Sequence, residues 1–403
     1  MKMNFSKWSL VYTAALGLGL GACQNEDKVD PEIPSAEYQY VRVLISDEVS
    51  NDLTLINPSN GETAIFTSKF PKAAMYGTDA GRYAALVHTQ NNYVEFFDSG
   101  LENHGDHMDT KGTAKFAALT GESAKPTHFK SKGNEVITFN DGDGSMSVAD
   151  EADFHVVGAK MSKLETGNSA HHGAMAPFDN GTYAVTEKDG SVTGTLPERV
   201  KIIDKNGSVR YSSTLATGGI HGNAGNGEYA VFGSSSGILV VHQQGEQKLI
   251  AYPQQFGTQW LGTIMYAKKV KRFLGYSAAL GLFDIDIESN KINTILESKE
   301  IVQAKVDYSG SSLVVLQYDG SIKVIDLNTN TVAMSGSPLT TIDKEQTQKP
   351  QLEATARYIY ITQPQSGELW QVDRKDLKVV KKHKVTATPY RLALLGGETD
   401  AGH

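Results

Sequence analysis

Five of the chain's histidines stand at places where their chemistry can be pooled. His104 and His107 fall in SGLENHGDHMDTKG (99–112), a polar loop containing glycine; His128 follows in KPTHF, His172 in AHHGAM and His221 in GGIHGNAG. Neutral imidazole is a zinc ligand at about 2.0–2.1 Å, and three histidines with one further donor complete a tetrahedron. A lone histidine at a strand start is commonly a surface or hydrogen-bonded core residue, so the weight rests on recurrence at matched places. In the loop, the H-x-x-H spacing with Asp106 and Asp109 offers hard and borderline donors, and Gly105 permits a close approach. Asp141 and Asp143 in NDGDGS are read as turn residues, with a role as fourth ligand or as partner to a ligand held open. That pattern resembles a calcium loop but lacks its downstream glutamate and its helices.

The elements that must position these side chains are short strands separated by Gly, Asn and Asp turns, with no long helical periodicity. One phrase repeats: a small-residue strand, a turn, an alternating strand, a turn, then a strand ending in Asp. It is read in 81–98, 133–150, 181–204, 227–242, 311–326 and 356–373, with a looser copy at 272–286. Repeat starts near Ala73, Pro126, His172, His221, Leu261, Val302 and Gln351 are spaced by roughly 40 to 50 residues, the period of propeller blades. The leftover strands YVRVLISD and DLTLINPSNGETAIFTS near the N-terminus and PYRLALLG near the C-terminus make one further blade. The expectation is an all-β single β-propeller, eight-bladed with seven as the alternative, its ring closed by a C-terminal strand. In such a ring the innermost strands line a central channel. His128, His172 and His221 come at the start of that strand in three consecutive blades, so their rings converge towards one mouth. His171 is the weaker of its adjacent pair, because side chains alternate along a strand. The 99–112 loop joins the third and fourth strands of its blade, which normally places it on the opposite face: either it forms a separate, more exposed site, or its length lets it curl towards the axis. The longer turn at 187–199 is positioned to cover the histidine face.

The bulk properties narrow the partners. Hydrophobic residues make up 39% and charged residues 21%, as in a folded domain with a sizeable core, and the formal charge is −8. Such acidity argues against nucleic-acid binding, which needs a basic footprint. Lys2 and Lys7, the apolar run Trp8 to Leu20 and the ending Leu20-Gly21-Ala22-Cys23 form a lipoprotein signal (1–22) with Cys23 as the lipidated residue. Residues 23–37 read as a flexible tether, 38–397 as the propeller and 398–403 as a tail. Cys23 is the one cysteine, which removes disulfides, thiolate zinc sites and a cysteine nucleophile from the body. Gly233-Ser234-Ser235-Ser236-Gly237 matches G-x-S-x-G but joins two strands, so it is a turn.

HGDH, PTHF followed by F-x-DGDG, HHG and IHGNAG, in this order on a propeller frame, resemble the periplasmic zinc metallochaperones of the AztD type. The resemblance is clearest from about Gly81 to Val241. It implies Zn2+ as the bound metal and metal-binding roles for His104, His107, His128, His172 and His221, with His171 and Asp106 as neighbours. It also implies delivery of zinc to the solute-binding component of a zinc ABC importer. The tether lacks the histidine-rich arm common in that family, and the lipobox implies a membrane-anchored, extracytoplasmic protein in the periplasm or cell envelope. Two other readings stand beside this one. A zinc with an open position can activate water, as in a metal-dependent lyase or hydrolase, although no general base appears at a recognisable spacing. The other is a non-catalytic interaction scaffold. The expectation is a non-enzyme whose zinc affinity falls as pH drops through about 6.5.

Overall fold

The structure is a computed structural model that describes residues 39–104 and 108–397. The expected signal peptide, Cys23, the tether, Asp106, His107 and the 398–403 tail lie outside the described residues. Among the described residues no helix is long and apolar enough to cross a membrane.

Among the described residues, eight four-stranded antiparallel sheets follow one another along the chain, so the eight-bladed expectation holds and the seven-bladed one does not. In seven sheets the strands run in chain order from the inner edge outwards, as in Pro126–Lys132, Glu135–Asn140, Ser145–Asp150 and Ser162–Leu164. The remaining sheet takes its inner strand, Pro389–Leu395, from the far end of the chain and pairs it with Arg42–Asp47, which precedes Asp52–Ile56 and Thr63–Thr67. The pairing is continuous from Arg42↔Leu395 to Ile45↔Leu392, and Asp47 accepts hydrogen bonds from the Thr388 amide (2.7 Å) and hydroxyl (2.8 Å). Closure of this kind leaves no open ring edge. The loose copy at 272–286 is a regular hairpin, Arg272–Ser277 with Gly281–Asp286. Its sequence looks ragged because Gly275 leaves room for Leu261, whose Cδ1 would lie 2.3 Å from any Cβ there.

The apolar residues seal each blade against the next. Phe139, Met146 and Ile137 of the third blade pack with Met175, Tyr183 and Val185 of the fourth. Ala176, Ala184 and Val200 of the fourth pack with Ile220, Phe232 and Leu239 of the fifth. Each fully buried side chain of this size contributes roughly 1.5–3 kcal/mol, so the blade interfaces hold neighbouring inner strands in a fixed relative position. That rigidity is what lets side chains from different blades share a site.

Candidate metal centre

Three of the expected histidines come from three adjacent blades and meet at one channel mouth. The His128 and His172 Nε2 atoms are 3.4 Å apart, with ring centroids at 4.9 Å, and the His172 and His221 centroids are 5.3 Å apart. Tetrahedral zinc with bonds near 2.05 Å sets ligand nitrogens roughly 3.3 Å apart and the ring centroids behind them roughly 5 Å apart. The His128–His172 nitrogen spacing is the one two zinc ligands take. Among the described residues, no group of three or more His, Cys, Asp or Glu stands in an arrangement that could itself hold a metal ion, so closing on one requires the three rings to draw together.

Local backbone irregularities aim the rings. Pairing of Pro126–Lys132 with its neighbour shifts between Pro126 and His128, and pairing of Ile220–Gly225 shifts between Ile220 and Asn223. Bulges at strand ends turn a side chain away from the regular pleat, and both of these sit at a histidine. Beside His221, Gly222 has φ +74°, and a Cβ there would stand 2.4 Å from the Gly262 carbonyl oxygen. A side chain at 222 is therefore excluded twice, by conformation and by contact. His172 lies just ahead of its strand, and its amide donates to the Thr195 carbonyl at 2.9 Å.

The far nitrogen of each of two rings is fixed. His172 Nδ1 is 2.7 Å from Asp141 Oδ2, and His221 Nδ1 is 2.7 Å from the Gly262 carbonyl oxygen. An acceptor at Nδ1 keeps the proton there, which leaves the Nε2 lone pair of the neutral ring free to bind a cation. Asp141 is nearly buried and takes the partner role. Burial, followed by the neighbouring His172 ring, pushes His128 down to about 4, so its imidazole is neutral well below neutral pH. His221 is exposed and His128 and His172 partly so, which leaves the mouth open to an incoming ion.

The 187–199 turn reaches this face as expected. Besides Thr195, its Pro197 carbonyl accepts the Ile220 amide at 2.8 Å, so the turn touches the strands or lead-ins of two ligand histidines. Its fold depends on Glu198, whose side chain is sealed from water and accepts from Lys188 Nζ (2.8 Å) and the amides of Asp189 (2.9 Å) and Val192 (3.0 Å).

The other sequence candidates lie elsewhere. His104 follows the short hairpin strand Leu101–Asn103, with Glu102 Oε2 at 3.4 Å and Asp109 Oδ2 at 3.5 Å. That hairpin leaves the third strand of its blade, which by antiparallel alternation places it at the end opposite the three-histidine mouth. His171 turns into the core, with Nδ1 2.8 Å from the Ser169 carbonyl oxygen and Nε2 3.1 Å from Thr186 Oγ1. Asp143 caps its own turn through Ser145 and pairs with Lys163 at 3.0 Å. Sequence reading missed the Gly262 and Thr195 carbonyls, since backbone acceptors carry no residue-type signal. It also missed Lys130, two residues from His128 in the same inner strand, although the alternation H-x-K-x-K was readable. Lys130 keeps a channel-facing surface yet is surrounded by protein, which pushes its ammonium down to about 8.

Replacing Asp141 with Asn would weaken the anchor of His172 without removing a ligand. Zinc affinity is expected to drop 10–100-fold, the usual cost of losing such a partner, as read by competition titration against a chromophoric chelator.

No family model matches the sequence. The zinc chaperone AztD of Citrobacter koseri is 23% identical over 98% of this chain and 95% of its own length. The crystal structure of Citrobacter koseri AztD superposes with a TM-score of 0.80 at 20% identity, covering 90% of this chain and 99% of that one. The dihydro-heme d1 dehydrogenase NirN shares the fold less closely, with a TM-score of 0.60 at 15% identity over 87% of this chain and 74% of its own. In sequence over almost its full length, and in fold, the chain is similar to the AztD zinc chaperone.

Proposed function

We propose that the chain is an extracytoplasmic zinc-binding protein that holds Zn2+ at the channel mouth through His128, His172 and His221 and passes it to the solute-binding component of a zinc ABC importer. The observation that carries the reading is the 3.4 Å spacing of the His128 and His172 Nε2 atoms beside a His221 ring whose Nδ1 is already engaged. Water or a partner's side chain completes the tetrahedron, and an incoming donor replaces the released histidine by ligand exchange. The exposure of His221 makes it the first ring to let go. Its likeness to a zinc chaperone supports binding and release rather than catalysis. His104, on the opposite face, belongs to a second, outer position that captures metal, to which the resemblance adds His107 as a ligand. Lipidation at Cys23 keeps the protein at the membrane surface, where such an importer component receives its cargo.

Delivery is tested by mixing the zinc-loaded chain with the metal-free importer component and following transfer in the presence of a competing chelator. Direct hand-over predicts transfer faster than spontaneous zinc release and insensitive to the chelator. Transfer no faster than release would leave a zinc store without a delivery role.

A further inference from the structure

At the end of the channel remote from the histidines lies a cavity of about 600 Å³, where the inner strands of several blades terminate. Four lysines line it. Lys132 is paired with Asp179, and Lys305 with Glu353 at 2.6 Å. The other carboxylates of the lining are also engaged: Asp307 by Arg374 at 2.7 Å, and Asp79 by the Gly133 amide at 2.9 Å. Lys130 and Lys268 have no such partner. Lys130 Nζ donates to the Asn223 carbonyl at 3.0 Å, and Lys268 Nζ stands 5.4 Å from the centre of the Tyr308 ring; neither makes an ion pair among the described residues. An ammonium carries three donors, and the half-buried Lys130, with one carbonyl acceptor, has no counter-charge among the described residues. Two cations left over at one cavity, in a chain of net charge −8, are a local reversal of sign.

We propose that this cavity binds a small organic dicarboxylate, its two carboxylates held by the ammonium groups of Lys130 and Lys268. The lining argues for a carbon skeleton rather than a bare inorganic anion. The space is far larger than a phosphate needs, and Ile264, Met265 and Val306 supply apolar wall between the charged groups. The site is separate from the zinc reading and is measured without metal.

The test is calorimetric titration of succinate into the metal-free full-length protein, with inorganic phosphate and chloride as comparisons. One equivalent of succinate is expected to bind and to raise the melting temperature, with phosphate and chloride binding more weakly. Lys130→Met is expected to weaken succinate roughly tenfold or more, the loss of a charged hydrogen bond. The unliganded Lys130→Met protein should melt no lower than the parent, because an uncompensated charge has been removed. Lys268→Gln, at the exposed rim, gives a second reading and is expected to weaken binding severalfold. Absence of succinate binding by the parent, or unchanged binding in both variants, overturns the site. Phosphate or chloride binding as tightly as succinate overturns the dicarboxylate assignment.

Discussion

Zinc titrated into a chain carrying His128→Ala, His172→Ala and His221→Ala is expected to find no stoichiometric site at the channel mouth, whereas the parent chain takes up one equivalent there. The loss should exceed the 10–100-fold expected for Asp141→Asn, because ligands rather than their supports are removed. Metal analysis after gentle purification, with a competition titration, reads the difference. Equal zinc binding by both chains would remove the channel site. A weaker residual site that vanishes on His104→Ala with His107→Ala would belong to the outer loop. The pH dependence carries a sharper signature. Each ligand imidazole that is protonated in the metal-free protein must lose its proton to bind. His128 is already neutral down to about pH 4, so it releases none around pH 6.5. Affinity should still fall as pH drops, but with fewer than three protons per zinc; a slope of three would show that His128 titrates ordinarily.

Glu198→Ala is expected to cost about 2–3 kcal/mol of stability, somewhat below the 3–5 kcal/mol typical of breaking a buried pair because the site underlies a surface turn. The substitution strands the Lys188 ammonium, leaving it the carbonyls of Val192 and Leu196, and frees the Asp189 and Val192 amides. Burial raises the Glu198 carboxyl, but Lys188 and those amides outweigh this and hold it below its ordinary value. With a lowered folded-state value, its stabilisation is present above the ordinary carboxylate range and lost as pH falls through the folded-state value. Chemical denaturation of parent and variant at neutral pH should therefore show the full difference, shrinking in acid. Because the turn meets His172 through Thr195 and Ile220 through Pro197, zinc affinity should fall with it. Unchanged zinc affinity in a destabilised Glu198→Ala chain would mean that the turn does not position the histidines.

The ring was legible because its signal repeats: apolar alternation and Asp-ended strands recur in blade after blade, and one weak copy at 272–286 is outvoted by its neighbours. The closing strand was legible as a leftover that fits a gap. His128, His172 and His221 could be matched because each sits near the start of an inner strand, and topology converts that shared position into proximity. What could not be read is everything that depends on a one-residue irregularity. The shifts beside His128 and His221 change where a ring points without changing the composition that announces a strand. Asp141 was visible as a turn residue, yet its choice of His172 over solvent is a matter of distance across two blades. His171 and His172 differ by one position in sequence and by core against mouth in space, and alternation along the chain marks His171 as the weaker of the two.

The stitch between Arg42–Asp47 and Pro389–Leu395 has a consequence for biogenesis. The amide of Thr388 reaches a side chain 341 positions earlier, so the first-made blade lacks its innermost member until Pro389–Leu395 has been synthesised. A nascent polypeptide must carry a bare sheet margin throughout that interval, a natural client for holdase protection. Deleting only Pro389–Leu395 would strand the molecule in that unlocked state, although the strands of the seven other blades are all present.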